Sequence, residues 1–242
     1  MNALIEVQDL HYQYEDGTHA LTGVNFVLHP GETVAVFGAN GSGKTTFVLH
    51  LNGLLLGQGK VSVCGIPVGK TTLAQVRAKV GMVFQDSDEQ LFMPTVLEDV
   101  AFGPRNLGMA DALAIEQAME ALREVGLEYA AHKAPYHLSA GEKRRAAIAG
   151  VLAMQPDILV LDEPTTFLDP PGQQLLVGLL RRLPQAKLIV THDVPFAAAL
   201  ASRAVFFEKG RLAGDGPVEE VIQTFHWRTE FEAVSTPFIV GR

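Results

Sequence analysis

Apolar and polar residues alternate with a period near two in the first third of the chain, a pattern typical of β-strands. The alternation runs through residues 5–14 and returns at 24–28. The compact run Thr33–Phe37 is apolar almost throughout, which predicts a strand buried on both faces. Helical composition follows at residues 44–55, and a short apolar strand is predicted at 80–84.

The middle of the chain has the pattern of α-helices, and the part that follows it alternates between predicted strands and helices. Residues 110–125 are rich in Ala, Glu and Leu, with apolar positions three and four apart, and residues 140–154 have a similar composition. The later predicted elements are a strand at 157–161, a helix at 170–183, a strand at 186–191 and a hairpin at 203–212. Strands that alternate with helices predict a mainly parallel sheet with helices on both faces.

The composition narrows the setting in which such a domain works. The 242 residues carry a net charge of −8, and this acidic excess argues against a nucleic-acid partner, whose phosphates attract basic residues. Cys64 is the single cysteine, so no intramolecular disulfide forms. Residues 1–9 lack the apolar run of a signal peptide, and no segment approaches the roughly 20 apolar residues of a spanning helix. We therefore expect any membrane role to depend on partners.

The strongest motif lies between the predicted strand at 33–37 and the helix at 44–55. Residues 38–45 read GANGSGKT, which matches the phosphate-loop pattern G-x-x-x-x-G-K-[ST] in full. Backbone N–H groups of such a loop face phosphate oxygens, while Lys44 reaches the β- and γ-phosphates of ATP and Thr45 ligates Mg²⁺. The residues expected around the phosphates are Gly38, Ala39, Asn40, Gly41, Ser42, Gly43, Lys44, Thr45 and Thr46. The alternative, a chance Gly-rich turn, does not account for the flanking elements.

Two carboxylates, Asp162 and Glu163, directly follow the strand at 157–161. Ligands of parallel sheets bind beyond the carboxyl ends of the strands. We expect Asp162 to hold Mg²⁺ through water and Glu163 to act as the general base for an attacking water. An acidic turn before Pro164 would explain the pair alone, but its combination with the phosphate loop favours the catalytic interpretation.

Residues 138–142 read LSAGE and resemble the LSGGQ signature that is specific to ABC ATPases. Ser139 and Gly141 are retained, and the resemblance implies that their hydroxyl and backbone N–H face a γ-phosphate. Ala140 replaces a glycine, which is tolerable if its φ is negative, and Glu142 replaces a glutamine. Ser139 also suits a helix N-cap.

Further elements of the ABC family stand in the family's order between about residues 7 and 215. By this resemblance Gln85 is the Q-loop glutamine that contacts Mg²⁺ and the γ-phosphate, and His192 is the switch histidine. Tyr14 is the aromatic residue that stacks on adenine, with Tyr12 as the alternative. Taken singly, each has a plain structural explanation: polarity at a strand end, a loop histidine, or packing on a strand. Only their order favours the functional interpretation.

The resemblance implies an α/β fold with a RecA-like P-loop NTPase core and a mainly parallel sheet. It adds an antiparallel β N-terminal part and an inserted α-helical signature subdomain. We expect a single domain over residues 1–242, with the core at 1–85 and 157–215, the helical subdomain at 86–156 and a C-terminal tail at 216–242.

The resemblance also implies a dimer of ATPase subunits. In the ABC family, ATP lies between the phosphate loop of one subunit and the signature of the other, and hydrolysis opens the dimer to drive a membrane partner. Residues 168–169 correspond to the D-loop. A soluble ABC ATPase of DNA repair or translation, and a small-molecule P-loop kinase, are the alternative functions. A soluble ABC ATPase typically has coiled-coil insertions or paired cassettes, and this sequence shows neither. A small-molecule kinase lacks the signature, which residues 138–142 resemble.

Two further segments narrow the type of transporter. Residues 86–92 (DSDEQLF) and 95–104 (TVLEDVAFGP) resemble the ATPases of energy-coupling factor (ECF) transporters, with those of cobalt uptake first, and nickel or a vitamin as alternatives. The implied partners are integral membrane subunits, transmembrane and substrate-binding, that hold this chain peripherally at the cytoplasmic face. The transported metal is expected on a partner, because no His, Cys or Asp cluster has metal-ligand spacing. We expect 86–92 to form a short helix against that partner, and 143–145 (KRR) to form a solvated helix face.

Overall fold

The structure, a computed structural model, describes residues 2–227 and contains two sheets. The antiparallel sheet consists of β1 (Ile5–Gln13), β2 (His19–Leu28), β4 (Gln58–Val63) and β5 (Ile66–Pro67), in the order β2-β1-β4-β5. The second sheet consists of β3 (Thr33–Phe37), β6 (Val80–Val83), β7 (Ile158–Asp162), β8 (Ala186–Val190), β9 (Arg203–Glu208) and β10 (Arg211–Pro217). Its order is β10-β9-β3-β8-β7-β6, and it is parallel except for the β9–β10 hairpin.

Eight α-helices are described. They are α1 (Lys44–Leu51), α2 (Leu73–Lys79), α3 (Val96–Asn106), α4 (Asp111–Glu124), α5 (Ala140–Leu152), α6 (Pro170–Arg182), α7 (Val194–Leu200) and α8 (Val218–Thr224). The predicted α/β class, with antiparallel and mainly parallel sheets, is therefore confirmed. Each predicted helix ends earlier than expected, and the difference is largest for α1, which ends at Leu51.

Helix α1 lies between the two sheets and fixes the phosphate loop in position. Phe47, fully buried on α1, packs against Phe26 of β2 and Phe207 of β9, with ring centroids 5.4 and 5.1 Å away. Burial of one such side chain stabilises the fold by about 2 kcal/mol. The start of α1 is thus held by apolar packing from both sheets.

Helices α3, α4 and α5 pack together beside the parallel sheet through buried residues that include Val100, Leu122 and Ile148. Helix α5 also lies directly on β6, because a Cβ at Gly81 would come within 2.0 Å of Val151. These helices lie within the segment predicted as a subdomain at 86–156, although the boundaries themselves stay a prediction.

The predicted C-terminal tail begins as regular structure. Residue 216 lies in β10, and α8 packs on the outer face of the parallel sheet, where Phe225 stacks on Phe206 with ring centroids 4.1 Å apart. Trp227 contacts the same Phe206 edge-on. Residues 228–242 of the predicted tail lie outside the described residues.

Candidate functional site

The loop at residues 38–43 joins β3 to α1 at the carboxyl edge of the parallel sheet. Gly38 and Gly43 have φ values of 140° and 107°, which residues with side chains rarely adopt. A Cβ at Gly38 would lie 2.3 Å from the carbonyl oxygen of Phe207. A Cβ at Gly43 would lie 2.6 Å from the carbonyl oxygen of Ala20. Only glycine permits this turn, which leads into the N-terminus of α1, where backbone N–H groups favour an anion.

Lys44, the first residue of α1, is 8% exposed and folds over this loop. Its Nζ donates to the carbonyl oxygens of Gly38 at 2.6 Å and Ala39 at 3.0 Å. Burial lowers the pKa of the Lys44 ammonium, and the negative charges of Glu163 and Asp162 oppose that shift. The loop therefore holds a positive charge at the N-terminus of α1, as a phosphate site requires.

Thr45 and Asp162 form an oxygen-rich pair beside this lysine. The Thr45 hydroxyl donates to Asp162 Oδ2 at 3.2 Å, although the two residues are distant in sequence. Burial raises the pKa of Asp162, whereas the Thr45 hydrogen bond and the Lys44 ammonium lower it. A hydroxyl and a carboxylate are ligands that Mg²⁺ prefers, and Gln85 lines the same cavity. This donor set fits the predicted Mg²⁺ ion.

Glu163 has a left-handed backbone, with a φ of 45°, at the point where β7 ends. Its N–H donates to the carbonyl of Val190, so the neighbouring strand supports this strained conformation. The Glu163 carboxylate is 13% exposed and lies 2.9 Å from His192 Nδ1. The predicted general base and the predicted switch histidine are thus in direct contact.

A cavity of about 370 Å³ unites most of the predicted residues. The predicted residues that line it are Tyr14, Asn40, Gly41, Gly43, Lys44, Thr45, Thr46, Gln85, Asp162 and Glu163. Thr18 and the first two residues of β2, His19 and Ala20, line it as well and were not predicted. No motif marks these three positions, which reach the cavity because β2 packs across α1.

Tyr14 rather than Tyr12 lines the cavity. The Tyr14 hydroxyl is 2.9 Å from Thr46 Oγ1, and 39% of Tyr14 is exposed. Tyr12 packs edge-on between Tyr14 and the buried His50, with ring centroids 5.0 and 4.8 Å away. One face of Tyr14 therefore remains available to a planar ligand, and Tyr12 acts as its support.

The signature residues lie outside this cavity, at the start of α5. Ser139 is the N-cap of α5 and forms a capping box with Glu142, whose carboxylate accepts from the Ser139 N–H at 2.7 Å. The Tyr129 hydroxyl and the Ser139 N–H hold the pKa of Glu142 at about 2. Ala140 is the first helical residue, so its φ is negative, and the extra methyl group is accommodated.

Ser139 and Gly141 line a second concave surface, of about 450 Å³, together with Leu168 and Asp169. The signature and the D-loop are therefore adjacent, whereas the signature and the phosphate loop line different cavities of one chain.

The prediction that residues 143–145 form a solvated helix face is wrong. Arg144 is 2% exposed, and its guanidinium donates to the carbonyl oxygens of Phe84 and Gln85. Lys143 pairs with Asp88 at 2.6 Å. The basic run connects α5 with the segment that follows β6.

Known proteins share both the motifs and the fold. The profile of the ABC transporter family matches residues 21–166. The energy-coupling factor transporter ATP-binding protein EcfA of Methanothermobacter thermautotrophicus is 46% identical over 226 residues, which cover 91% of this chain and 73% of that protein. CbiO1 from Clostridium perfringens, part of the ABC transporter complex CbiONQ, superimposes with a TM-score of 0.82 and 36% identity over 92% of both chains.

A third relative has been solved as a dimer. The ATP-binding cassette MJ0796, in a post-hydrolysis state with ADP and phosphate, superimposes with a TM-score of 0.79 and 28% identity, over 88% of this chain and 98% of that one. The matched family, the relatives and the fold agree with one another. The chain therefore belongs to the ABC transporter family, as an ATP-hydrolysing subunit that resembles those of energy-coupling factor transporters.

Proposed function

We propose that this chain powers an ECF-type importer of a transition-metal ion, cobalt first, and that it does so as a dimer on the cytoplasmic face of the membrane. The observation that carries the ATPase part is the convergence of Lys44, Thr45, Asp162 and Glu163 on one cavity. The ECF part is supported by the identity with EcfA, and the cobalt part by the resemblance of residues 86–104 to cobalt-uptake ATPases. Nickel or a vitamin is the alternative cargo.

In this proposal the phosphate loop and Lys44 bind the β- and γ-phosphates of ATP. Thr45, Asp162 and Gln85 would hold Mg²⁺, which would neutralise charge on the phosphate oxygens. Glu163 accepts a proton from water as the water oxygen bonds to the γ-phosphorus and the bond to the bridging oxygen of ADP breaks. His192, 2.9 Å from the Glu163 carboxylate, orients that base.

The dimer follows from the separation of the two motifs. The N-terminus of α5, at Ser139, offers a positive dipole end and lines a different cavity from Lys44. A second copy in antiparallel arrangement would bring this N-terminus to the γ-phosphate bound by the other loop. ATP then joins the two subunits, and its hydrolysis lets them part.

The segment at 86–92 is the proposed contact with the membrane partner. It contains a 3₁₀ turn at Ser87–Glu89 and begins beside Gln85. A movement of Gln85 on nucleotide binding or hydrolysis would therefore move this segment directly. Phe92 is 61% exposed and Glu89 is exposed, an apolar and acidic pair that suits a basic, amphipathic helix. No helix among residues 2–227 is long and apolar enough to cross a membrane, and the same residues hold no cluster of three or more His, Cys, Asp or Glu able to bind a metal ion.

Copurification from solubilised membranes tests this assignment. The tagged chain should bring down integral membrane subunits and support ATP-dependent cobalt uptake. Glu89→Ala with Phe92→Ser should weaken both while the ATPase activity of the isolated chain stays within about twofold, because neither side chain lines the nucleotide cavity. Asp86 and Asp88 are left intact, since Asp86 caps the 3₁₀ turn and Asp88 pairs with Lys143.

Wild-type assembly and uptake in the double variant would contradict the contact. Uptake of nickel or a vitamin in place of cobalt would change the substrate assigned to the transporter and leave the ATPase assignment intact. A chain that hydrolyses ATP and copurifies no membrane protein would favour a soluble ABC ATPase.

A further inference from the structure

Arg144 is a buried cation on the signature helix. It lies on α5, the helix that Ser139 caps, and is 2% exposed. Its Nη1 donates to the carbonyl oxygen of Phe84 and its Nη2 to that of Gln85, both at 2.5 Å. Arginine is rarely buried unless it is paired, and here two main-chain carbonyls take the place of a carboxylate.

A second contact joins the same two segments. Lys143, the neighbour of Arg144 on α5, pairs with Asp88 at 2.6 Å. The charges of Asp86 and Asp162 also face the guanidinium and favour its charged form, although burial lowers the pKa of Arg144. The start of α5 therefore holds the segment after β6 at two points, one of them the main chain of Gln85.

We infer that Arg144 is a positioning residue that couples the Gln85 backbone to the signature helix. A displacement of Gln85 at one nucleotide is then carried through α5 to Ser139, which serves the nucleotide bound by the other subunit. The inference rests on the proposed function, which assigns Gln85 and Ser139 to the two composite sites.

The geometry explains why arginine occupies this position. The planar guanidinium spans two successive carbonyls, so it restrains the peptide between Phe84 and Gln85 in both direction and orientation. A lysine ammonium keeps the charge but acts as a point donor, and it cannot hold both carbonyls in the same fixed geometry. Arg144→Lys therefore separates positioning from charge and from gross folding.

The test compares Arg144→Lys and Arg144→Met with wild type, and uses Arg181→Met as the matched control. Arg181 also donates two hydrogen bonds to a main-chain carbonyl, that of Ala199, and does not line the nucleotide cavity. We expect Arg144→Lys to bind ATP within about threefold of wild type while kcat falls about 10- to 100-fold, because misplaced groups lower kcat more than binding. Arg181→Met should alter thermal stability alone, with kcat per folded molecule unchanged.

A double-mutant cycle with Gln85→Ala tests whether Arg144 affects kcat through Gln85. If Arg144 acts through Gln85, adding Arg144→Lys to Gln85→Ala should lower kcat by less than about twofold further. Where Arg144→Met does not fold, the Lys variant and its cycle decide the question alone.

Three outcomes are informative. Wild-type kcat in Arg144→Lys, with Gln85→Ala impaired, overturns this inference and leaves the proposed function standing. Fully multiplicative effects in the cycle show that Arg144 acts only on the helix, and they too overturn it. Wild-type activity in Gln85→Ala removes the role of Gln85 from the proposed function, and the inference fails with it.

Discussion

The proposed role of Lys44 in binding phosphate carries a cost in the folding stability of the protein. Its ammonium is buried against two carbonyl oxygens of its own loop, and burial lowers the pKa of this group. Burying a charge costs folding free energy, which the two hydrogen bonds and the nearby carboxylates offset only in part, since the pKa is still lowered. Glu163, with its left-handed φ of 45°, is a second residue whose local conformation is strained at the same cavity. The buried charge and the strained backbone both lie at the cavity that is proposed to bind the phosphates.

Lys44→Ala should abolish hydrolysis, with a loss of at least roughly 100-fold in kcat, because the charge that stabilises the phosphate oxygens is removed. Binding of ATP should weaken as well. Steady-state ATPase assays and nucleotide titrations measure both effects. Lys60→Ala, at an exposed position of β4, is the control and should behave as wild type. Near-normal turnover in Lys44→Ala at saturating ATP would refute the phosphate-loop assignment.

At this scale the sequence was most informative where a motif fixes both residue type and spacing. The phosphate loop, Asp162 and Glu163 lie around one cavity as predicted, because the order of strand, loop and helix determines where their side chains meet. Arg144 was misjudged, since a basic run on a helix carries no apolar periodicity. Its burial depends on the approach of Phe84 and Gln85, 60 and 59 positions away in sequence. Such long-range contacts leave no local signal.

The signature helix α5 begins with a carboxylate in place of the glutamine of the resembled motif. The Tyr129 hydroxyl and the Ser139 N–H hold the pKa of Glu142 at about 2, below its ordinary value of 4.5. A group whose folded pKa is depressed stabilises the fold above the unfolded pKa, and that contribution is lost as the pH falls through the folded value. The capping box of α5 should therefore weaken between about pH 4.5 and pH 2.

Glu142→Gln tests this dependence. The free energy of unfolding of wild type should exceed that of Glu142→Gln most above about pH 4.5, and the gap should narrow as the pH approaches about 2. Urea unfolding at a series of pH values measures the gap. Glu120→Gln, at an exposed position of α4, is the matched surface control. A gap that is independent of pH would mean that the Glu142 charge does not stabilise the cap.

The predicted helices α1, α4, α5 and α6 are all present, whereas α2, α3, α7 and α8 were not predicted. Helix α3 contains Gly103 and Pro104, which resemble a loop in composition, and it forms because a Thr95–Glu98 capping box starts it. The N–H groups of Val96 and Leu97 also find acceptors in the carbonyls of Lys133 and Ala131, beyond α4. Tertiary contacts of this kind override composition, and a single sequence does not display them.

For the whole molecule, the decisive feature is that the phosphate loop and the signature line separate cavities of one chain. Mixing Ser139→Arg with Lys44→Ala should recover part of the hydrolysis that each variant lacks, because the mixed dimer contains one site with an intact loop and an intact signature. ATPase activity as a function of mixing ratio measures this recovery. Mixing Lys44→Ala with the Lys44→Ala, Ser139→Arg double variant leaves no intact loop and should stay inactive. Failure to recover in a mixture that forms dimers would contradict the composite site.

The most direct test of the account is whether ATP joins two copies of this chain when hydrolysis is blocked. Glu163→Gln keeps the shape of the carboxylate but cannot accept the proton of the attacking water, so bound ATP should persist. Size-exclusion chromatography with Mg-ATP should then give a dimer for Glu163→Gln, a monomer without nucleotide, and a monomer when Ser139→Arg is added. A Glu163→Gln protein that binds Mg-ATP and remains monomeric, or that hydrolyses ATP like wild type, would contradict the central claim.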